Sequence, residues 1–278
     1  MTLLVQTYNV HLFPAWLSNL EACFAPRSYM PDTELRFQAL IDSLYITGAD
    51  IILLTEIWSE KHATRLCQEF HSVWPYAVTS YSNSWIFMGS GLLLLSKIPL
   101  VSGSFLPYTK QGGFDSLAEK GLLLAKLENG LVILGTHIQA NYVDKNYDTI
   151  QDSQIAQLTE AAKQYSADIV FGDFNCFQDT AQFKTLQDSL KECRGLTCHN
   201  PQPKEGYKTR AYDKHHSEIK DAMKDYIFAK NVKWIVNDPL SDHEHFGGGE
   251  YWYTDKGEVR RDISDHLPLL AQVEFESK

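Results

Sequence analysis

Short apolar runs recur along the chain and are separated by polar segments that contain glycine, asparagine and proline. The clearest runs are LLVQTYNV, ADIILLTE, GSGLLLLSK, KGLLLAKLE, GLVILGTHIQA, IVFGDFN, KDYIFAK and LPLLAQVEF. Val, Ile, Leu and Tyr dominate them, which is typical of β-strands joined by turns. Asn129-Gly130, between KGLLLAKLE and GLVILGTHIQA, predicts a β-hairpin.

Two longer segments repeat one order of elements. In PDTELRFQALIDSLYITGADIILLTE, a helix is predicted between an N-cap at Asp32 and a stop at Gly48. Its apolar face is expected to consist of Leu35, Ala39, Leu40 and Leu44. In TIQDSQIAQLTEAAKQYSADIVFGDFN, the corresponding face consists of Ile155, Leu158 and Ala162. Each helix is followed by a tight turn, a short apolar strand and a carboxylate, which is Glu56 in the first segment and Asp173 in the second.

Many strands, a few helices and hairpins together predict an α/β fold with two β-sheets packed face to face and helices on the outside. The 278 residues contain no Pro- or Ser-rich stretch, charge block or low-complexity run that would mark a linker. We therefore predict a single domain over residues 1–278. A composition of 44% hydrophobic and 22% charged residues is ordinary for a soluble globular protein.

The net charge of −10 argues against a dedicated nucleic-acid binder, because such proteins neutralise phosphates with Lys and Arg. No stable nucleic-acid complex is expected, although a nuclease that uses a metal as its main cation stays open. The five cysteines include no Cys-x-x-Cys pair and favour reduced thiols, with a Cys193–Cys198 pair as the alternative in an oxidising environment.

The first residues, MTLLVQTYNVHLFP, lack the basic and long apolar segments of a signal peptide. The most apolar run, GLLLLSKIPL, is too short to cross a bilayer. We expect a soluble, monomeric protein that is cytoplasmic or exported without a classical signal peptide.

Polar residues stand at the ends of the predicted strands, where rigid backbone can hold them at a cleft. They are Asn9, Glu56, His137, Asp173, Asn175, Asp225, Asp265 and His266. The oxygens of Glu56, Asp265 and Asn9 are hard ligands suited to Mg²⁺ or Mn²⁺ rather than zinc. Two histidines near carboxylates can supply a base together with an acid or a phosphate contact.

The absence of other catalytic motifs narrows the chemistry. The chain has no Gly-x-Ser-x-Gly elbow, no phosphate loop ending in Lys-Ser/Thr and no dinucleotide fingerprint. Metal-assisted hydrolysis of a phosphoester remains. Taken singly, each polar residue also has an ordinary explanation, such as a solvated strand end for Glu56, a turn for Asn9 or a core histidine for His137. Their joint occurrence favours a site.

From TYNVHL to SDHLPL, the chain resembles the endonuclease/exonuclease/phosphatase superfamily, which has the fold of pancreatic deoxyribonuclease. The stretches EKGLLLAKLENGLVILGTHIQA and NYVDKNYDTIQDSQIAQLTE resemble the neutral sphingomyelinases more than the nucleases. The resemblance implies a four-layer deoxyribonuclease-like sandwich. It also implies an Mg²⁺-dependent hydrolase, with Mn²⁺ or Co²⁺ as possible substitutes.

The resemblance also implies roles for the residues around the metal and the attacking water. Glu56 would bind the essential divalent cation, with Asn9 beside it. His266 would be the general base, oriented by Asp225, and Asp265 would bind the metal or position the water.

Four further residues complete the implied site. Asp173 and Asn175 would orient the nucleophile and the phosphate oxygens. His137 would stabilise the phosphate or assist the leaving group. Lys120, at the start of the stretch that resembles sphingomyelinases, is expected to contact the substrate or the membrane.

The chain contains two Ser-Asp-His tripeptides, and only one has an apolar strand behind it. Asp265-His266 precedes LPLLAQVEF, whereas Asp242-His243 precedes the glycine-rich EHFGGGEYWY. We therefore assign the base to His266 and a loop position to His243. The HEH and HH pairs lack a third ligand at a suitable spacing and do not favour a zinc site.

These observations favour a phosphodiesterase that releases phosphocholine and ceramide from sphingomyelin at a membrane surface. A nuclease on the same scaffold is an alternative, as is a catalytically inactive relative that only binds a membrane or a partner. A phosphoinositide phosphatase is a third, but it would be expected to carry a Trp-rich variant of GDFN and a Cys-Asp-Arg motif.

The segment FGGGEYWYTDKGEVRRDISDH predicts a hairpin with an aromatic tip formed by Tyr251, Trp252 and Tyr253. Trp and Tyr favour the membrane interface, where an apolar ring meets a polar edge. Arg260 and Arg261 would add weak attraction to anionic lipid. Packing of these aromatic rings into the core is the alternative.

Overall fold

Two β-sheets form the inner layers of the structure, a computed structural model. It describes residues 1–14, 33–80, 88–141, 147–190, 224–236, 252–253, 259–260, 263–264, 266 and 268–275. The six-stranded sheet contains, in spatial order, β10 (Val232–Val236), β13 (Leu269–Phe275), β1 (Thr2–Leu12), β2 (Ile51–Ile57), β4 (Leu93–Ser96) and β3 (Tyr76–Thr79). The five-stranded sheet contains β5 (Leu100–Pro107), β6 (Gly121–Leu127), β7 (Val132–His137), β8 (Ile169–Asp173) and β9 (Asp225–Ala229).

Four α-helices and one 3-10 helix accompany these sheets in the described residues. The helices are α1 (Thr33–Thr47), α2 (Glu60–Glu69), α3 (Asp148–Gln164) and α4 (Ala181–Ser189), and the 3-10 helix is Gly113–Leu117. None of the helices described is long and apolar enough to cross a bilayer.

Alternating side chains on the strands divide the core into three layers. Leu53 of β2 and Phe171 of β8 face the layer between the two sheets. Ile52, one position before Leu53, packs in the layer with α1 and α2, and Val170 packs in the layer with α3 and α4. The predicted arrangement of two facing sheets with helices outside is therefore confirmed.

The predicted helix faces are confirmed with one correction. Ile155, Leu158 and Ala162 are buried on α3, as are Leu40 and Leu44 on α1. Leu35, which was expected in the core, is exposed, and the inward face of α1 instead includes the buried Phe37 and Ile41. The helix ends at Thr47, and Gly48 follows with a φ of +65°, as expected of a helix stop. Asp32 lies outside the described residues.

Each of the two repeated segments belongs to a β-α-β unit. In the first, β1 pairs in parallel with β2 across α1, and in the second, β7 pairs in parallel with β8 across α3. Because parallel strands point the same way, the carboxyl ends of each pair lie side by side. The polar residues at these ends are thereby brought to one edge of each sheet.

Two hairpins predicted from the sequence are present. β6 and β7 are antiparallel, and Gly130 between them has a φ of +86° that favours glycine. Further along, β11 (Trp252–Tyr253) pairs with β12 (Val259–Arg260). Trp252 and Tyr253 thus form one arm of that hairpin rather than its tip, because they are paired across the ladder. Tyr251 and Arg261 lie outside the described residues.

Candidate active site

The carboxyl ends of both parallel pairs meet at one cluster. Asn9 of β1 donates from Nδ2 to Oε1 of Glu56 at 2.9 Å and to Oδ2 of Asp173 at 2.9 Å. One amide therefore links the end of β2 in the six-stranded sheet to the end of β8 in the other sheet. Of the two carboxylate side chains, Asp173 is 1% exposed and Glu56 is 14% exposed. The cluster lies at the edge of the core and opens toward solvent at Glu56.

Local backbone geometry aims these groups. Glu56 has a φ of +64°, so the chain turns sharply at the end of β2. Gly172, in GDFN, has a φ of +139°, and a Cβ there would overlap the carbonyl oxygen of Thr136. Glycine is therefore required one residue before Asp173 for β8 to approach β7.

His137 lies between the two carboxylates and a buried lysine. Its Nε2 is 3.6 Å from Asp173 Oδ2 and 3.8 Å from Glu56 Oε1. Lys120 Nζ is 3.0 Å from the same Nε2 and forms an ion pair with Asp115 Oδ2 at 2.7 Å. Because an ammonium group can only donate, Nε2 of His137 accepts this hydrogen bond and the ring proton lies on Nδ1.

Burial and the nearby charge keep the His137 ring neutral. Burial, followed by the charge of Lys120, lowers the pKa of His137 to about 4. The positive charge on this side of the cluster therefore comes from Lys120, and His137 acts there as a neutral polar group.

A second histidine approaches the same carboxylate from the other direction. His266 Nδ1 is 2.6 Å from Asp225 Oδ2, and His266 Nε2 is 3.9 Å from Asp173 Oδ2. Ser264 fixes this histidine to β1, because its Oγ donates to the carbonyl of Asn9 at 2.6 Å and accepts the His266 N–H at 3.2 Å. The ring is thus held at Nδ1, and Nε2 faces the cluster.

The two aspartates have opposite pKa shifts. Burial raises the pKa of Asp225 to about 6, although His266 opposes the shift. For Asp173, burial also favours the protonated form, but His266, His137 and Lys224 outweigh it and lower the pKa below its ordinary value. Asp173 is therefore ionised at neutral pH, whereas the Asp225–His266 pair can take up a proton in mildly acidic solution.

Asn175 is fixed by its own loop. Its backbone N–H donates to Asp173 Oδ1 at 2.9 Å, and its Nδ2 donates to the carbonyl of Ile138 at 3.0 Å. Its φ of +48° is a conformation that Asn tolerates better than most residues. The GDFN sequence thus joins the exits of β7 and β8.

The donor set fits a hard divalent cation. Ligand atoms of Glu56, His137 and Asp173 lie within 4.8 Å of one another, as do those of Asp173, Asp225 and His266. Carboxylate oxygens with room for water suit Mg²⁺ or a similar ion. Glu56, the predicted metal residue, is the most exposed carboxylate of the cluster.

The other two predicted metal ligands have different outcomes. The Oδ1 of Asn9 accepts the backbone N–H of His11 at 3.1 Å, so its Nδ2 faces the carboxylates. In this arrangement Asn9 orients Glu56, and direct ligation by its oxygen stays a prediction. Asp265 lies outside the described residues, as does His243.

Three residues that sequence reasoning did not assign also contact the cluster. Trp58 Nε1 lies 3.4 Å from Glu56 Oε2, and His11 Nδ1 lies 3.6 Å from the same oxygen. Asp115 forms the ion pair with Lys120. No strand or helix pattern in the sequence indicated Asp115, because this residue lies in a 3-10 helix. His11 had a signal that could have been used, since it stands two residues after Asn9 in TYNVHL.

The model of the Endonuclease/Exonuclease/phosphatase family matches residues 7–266, which includes every residue of the cluster. The chain belongs to this family. The superfamily resemblance seen in the sequence is thereby confirmed.

Curated relatives match part of the chain. A putative neutral sphingomyelinase of Drosophila melanogaster is 30% identical over 170 residues, which is 56% of this chain and 38% of that protein. Sphingomyelin phosphodiesterase 3 of Homo sapiens is 25% identical over 200 residues, 60% of this chain and 29% of that protein. The matched regions therefore span about a third of the length of these relatives.

Solved structures agree in fold. A beta toxin of Staphylococcus aureus with bound magnesium ions has a TM-score of 0.72 at 19% identity and covers 99% of this chain and 100% of its own. Sphingomyelinase C of Streptomyces griseocarneus has a TM-score of 0.68 at 16% identity and covers 98% of this chain and 99% of its own. At these identities the likeness shows a shared deoxyribonuclease-like sandwich.

Proposed function

We propose that this chain is a metal-dependent phosphodiesterase that hydrolyses the head-group ester of a phospholipid, most specifically sphingomyelin to ceramide and phosphocholine. The observation that supports the proposal is the hydrogen bond between Asp225 and His266. It leaves Nε2 of His266 facing Asp173, which lies near the Glu56 carboxylate. This arrangement combines a general base with a pair of hard metal ligands. The choice of lipid is supported by the names of the curated relatives.

The base works through its two ring nitrogens. Asp225 accepts from Nδ1, and Nε2 of His266 is the nitrogen that would take a proton from water at phosphorus. As the water oxygen bonds to phosphorus, the bond to the ceramide oxygen breaks, and this oxygen takes a proton from solvent, which balances the proton that His266 accepts. Asp173, 3.9 Å from Nε2, orients that water through its ionised carboxylate.

Glu56 and Asp173 would hold the cation, which we take to be Mg²⁺. When bound, it supplies positive charge that neutralises the phosphate oxygens and favours ionisation of water. On the side of His137, Lys120 adds the charge that the neutral imidazole lacks. We therefore assign phosphate or leaving-group contact to His137 and Lys120 jointly.

The partner that this function requires is a membrane surface. We propose that the hairpin of β11 and β12 contacts it through Tyr251, Trp252 and Tyr253. The preference of Trp and Tyr side chains for the bilayer interface supports this proposal. Replacing Trp252 with Ala should then weaken vesicle binding and lipid hydrolysis while sparing a short-chain soluble substrate.

A parallel substrate panel tests the proposal. The purified chain, with Mg²⁺ or with EDTA, is offered sphingomyelin, phosphatidylcholine, phosphoinositides and plasmid DNA. We expect phosphocholine release from sphingomyelin with Mg²⁺ only. Cleavage of DNA without lipid hydrolysis would identify a nuclease, and full activity in EDTA would exclude the metal-dependent mechanism.

Metal binding can also be tested without turnover. Because a ligand that binds only the folded state stabilises it, Mg²⁺ should raise the melting temperature of the intact chain. Glu56→Gln should weaken this response and lower activity. An Mg²⁺ response that is unchanged in Glu56→Gln would remove Glu56 from the metal site.

A further inference from the structure

Glutamines of α3 donate to backbone carbonyls outside the helix. Gln154 donates to the carbonyl of Lys110 at 2.7 Å, and Gln157 donates to the carbonyl of Pro107 at 2.8 Å. Gln151, one turn earlier, lies closest to the site. None of the three touches the clustered carboxylates or histidines, so the proposed chemistry does not use them directly.

Gln151 joins the two loops that leave β7 and β8. Its Nε2 donates to the carbonyl of Gln139 at 2.7 Å and to the carbonyl of Asn175 at 2.9 Å. Its Oε1 accepts from Asn141 Nδ2 at 3.4 Å. The side chain is buried, and both Nε2 protons are used. These loops begin directly after His137 and Asp173, so the bridge spans the edge of the site.

Asn175 depends on this bridge for its orientation. Three hydrogen bonds hold the left-handed backbone of Asn175. Its N–H donates to Asp173, its side chain donates to the carbonyl of Ile138, and its own carbonyl accepts from Gln151. Removal of the Gln151 donor would leave this carbonyl buried without its partner, and the peptide would be free to rotate. The peptide that is freed joins Asn175 to Cys176, so its rotation changes ψ of Asn175 and can shift the Asn175 Cα and side chain relative to Asp173.

We infer that Gln151 is a positioning residue for the reaction and acts through Asn175. The inference rests on the proposed function, because the catalytic part of Asn175 is itself proposed. Misplacement of a reacting group by about 1 Å can cost roughly 10²-fold in rate. Loss of the bridge should therefore lower kcat about 10- to 100-fold.

The test compares Gln151→Met with Gln157→Met. Each substitution is made alone and in combination with Asn175→Ala. Met keeps the length of the side chain and removes its donors, and Gln157 makes the same type of bond farther from the site. We expect a kcat loss for Gln151→Met alone, little change for Gln157→Met, and a double variant with Asn175→Ala that is no worse than Asn175→Ala.

The alternative outcomes are separable. Additive losses in the double variant, or equal losses for both glutamines, would show that Gln151 only stabilises the fold and would overturn the inference. If Asn175→Ala itself has full activity, the proposed role of Asn175 fails instead. Should Gln151→Met not fold, Gln151→Asn, which is one methylene too short to reach Asn175, is compared in the same way.

Discussion

The two β-α-β units share a frame of backbone contacts and differ in the side chains where their strands end. At the start of β2, Asp50 accepts the Leu4 N–H at 2.9 Å, and at the start of β8, Asp168 accepts the Val132 N–H at 2.9 Å. Lys97 Nζ caps the turn before β2 by donating to the Gly48 carbonyl at 2.6 Å. Lys230 makes the corresponding bond to the carbonyl of Ser166 at 2.6 Å.

The correspondence continues up to the site. One residue after Glu56, Ile57 N–H donates to the Gly91 carbonyl, and one residue after Asp173, Phe174 N–H donates to the Lys224 carbonyl. At this point the side chains differ. A Cβ on Gly91 would come within 2.7 Å of the Trp58 indole, so glycine there makes room for the ring beside Glu56.

The second unit uses the same position differently. Lys224 is followed by Asp225, which lies opposite Asp173 in the register and holds His266. In the first unit this frame ends at Glu56, the proposed metal ligand, and in the second it ends beside the Asp225–His266 pair, the proposed base. The contacts at the starts of β2 and β8 are thus shared between the units, whereas the side chains at the ends of these strands differ.

The largest expected effect tests the end that holds the base. His266→Ala should lower kcat by about 10²- to 10⁴-fold, which is the usual contribution of a positioned general base. His71→Ala, at an exposed position after α2, is the matched control and should retain activity. Comparable losses in both variants would place the base elsewhere.

A smaller effect concerns the pH profile. Because burial raises the pKa of Asp225 from 3.8 to about 6, the Asp225–His266 pair gains a proton as pH falls through this value. Protonated Asp225 lacks the negative charge that stabilises the His266 ring as Nε2 takes up a proton, so kcat should be constant above about pH 6 and fall about tenfold per unit below it. A kcat that stays flat down to pH 5 would contradict the pairing, and Asp225→Asn should abolish this limb.

The smallest effect tests the shared frame. Asp168→Ala leaves the partly buried Val132 N–H without its side-chain acceptor and should cost about 1–3 kcal/mol of unfolding free energy. Asp50→Ala should cost less, because the Asp50 side chain is 32% exposed and water can replace it. Denaturant unfolding measures both. A marked fall in kcat of the folded Asp168→Ala variant would show that the frame and the chemistry are not separate.

Local sequence patterns predicted the apolar strands well, but predicted the buried face of α1 and the pairing in one hairpin poorly. The apolar runs correspond to strands, and Gly48 and Gly130 lie where a left-handed backbone is needed. The buried face predicted for α1 was partly wrong, because Leu35 is exposed. Helical spacing gives the period of the apolar residues but not the angle at which the helix packs on the sheet. In the hairpin of β11 and β12, composition indicated a turn nearby but not which residues pair.

By itself, the sequence determined the order of eight strands and two helices, the repeat of helix, turn, strand and carboxylate, and the family, but it did not reveal β3, β5, β10, α2 or α4. The features that it determined follow from short-range periodicity and contiguous motifs such as GDFN. The tertiary structure decided which atoms meet. Asp225 and His266 come together only because β9 joins β8 and the segment before β13 bonds to β1 through Ser264. The orientation of the Asn9 amide, the contact of Lys120 with His137 and the bridge of Gln151 depend likewise on packing between distant segments, which no local pattern encodes.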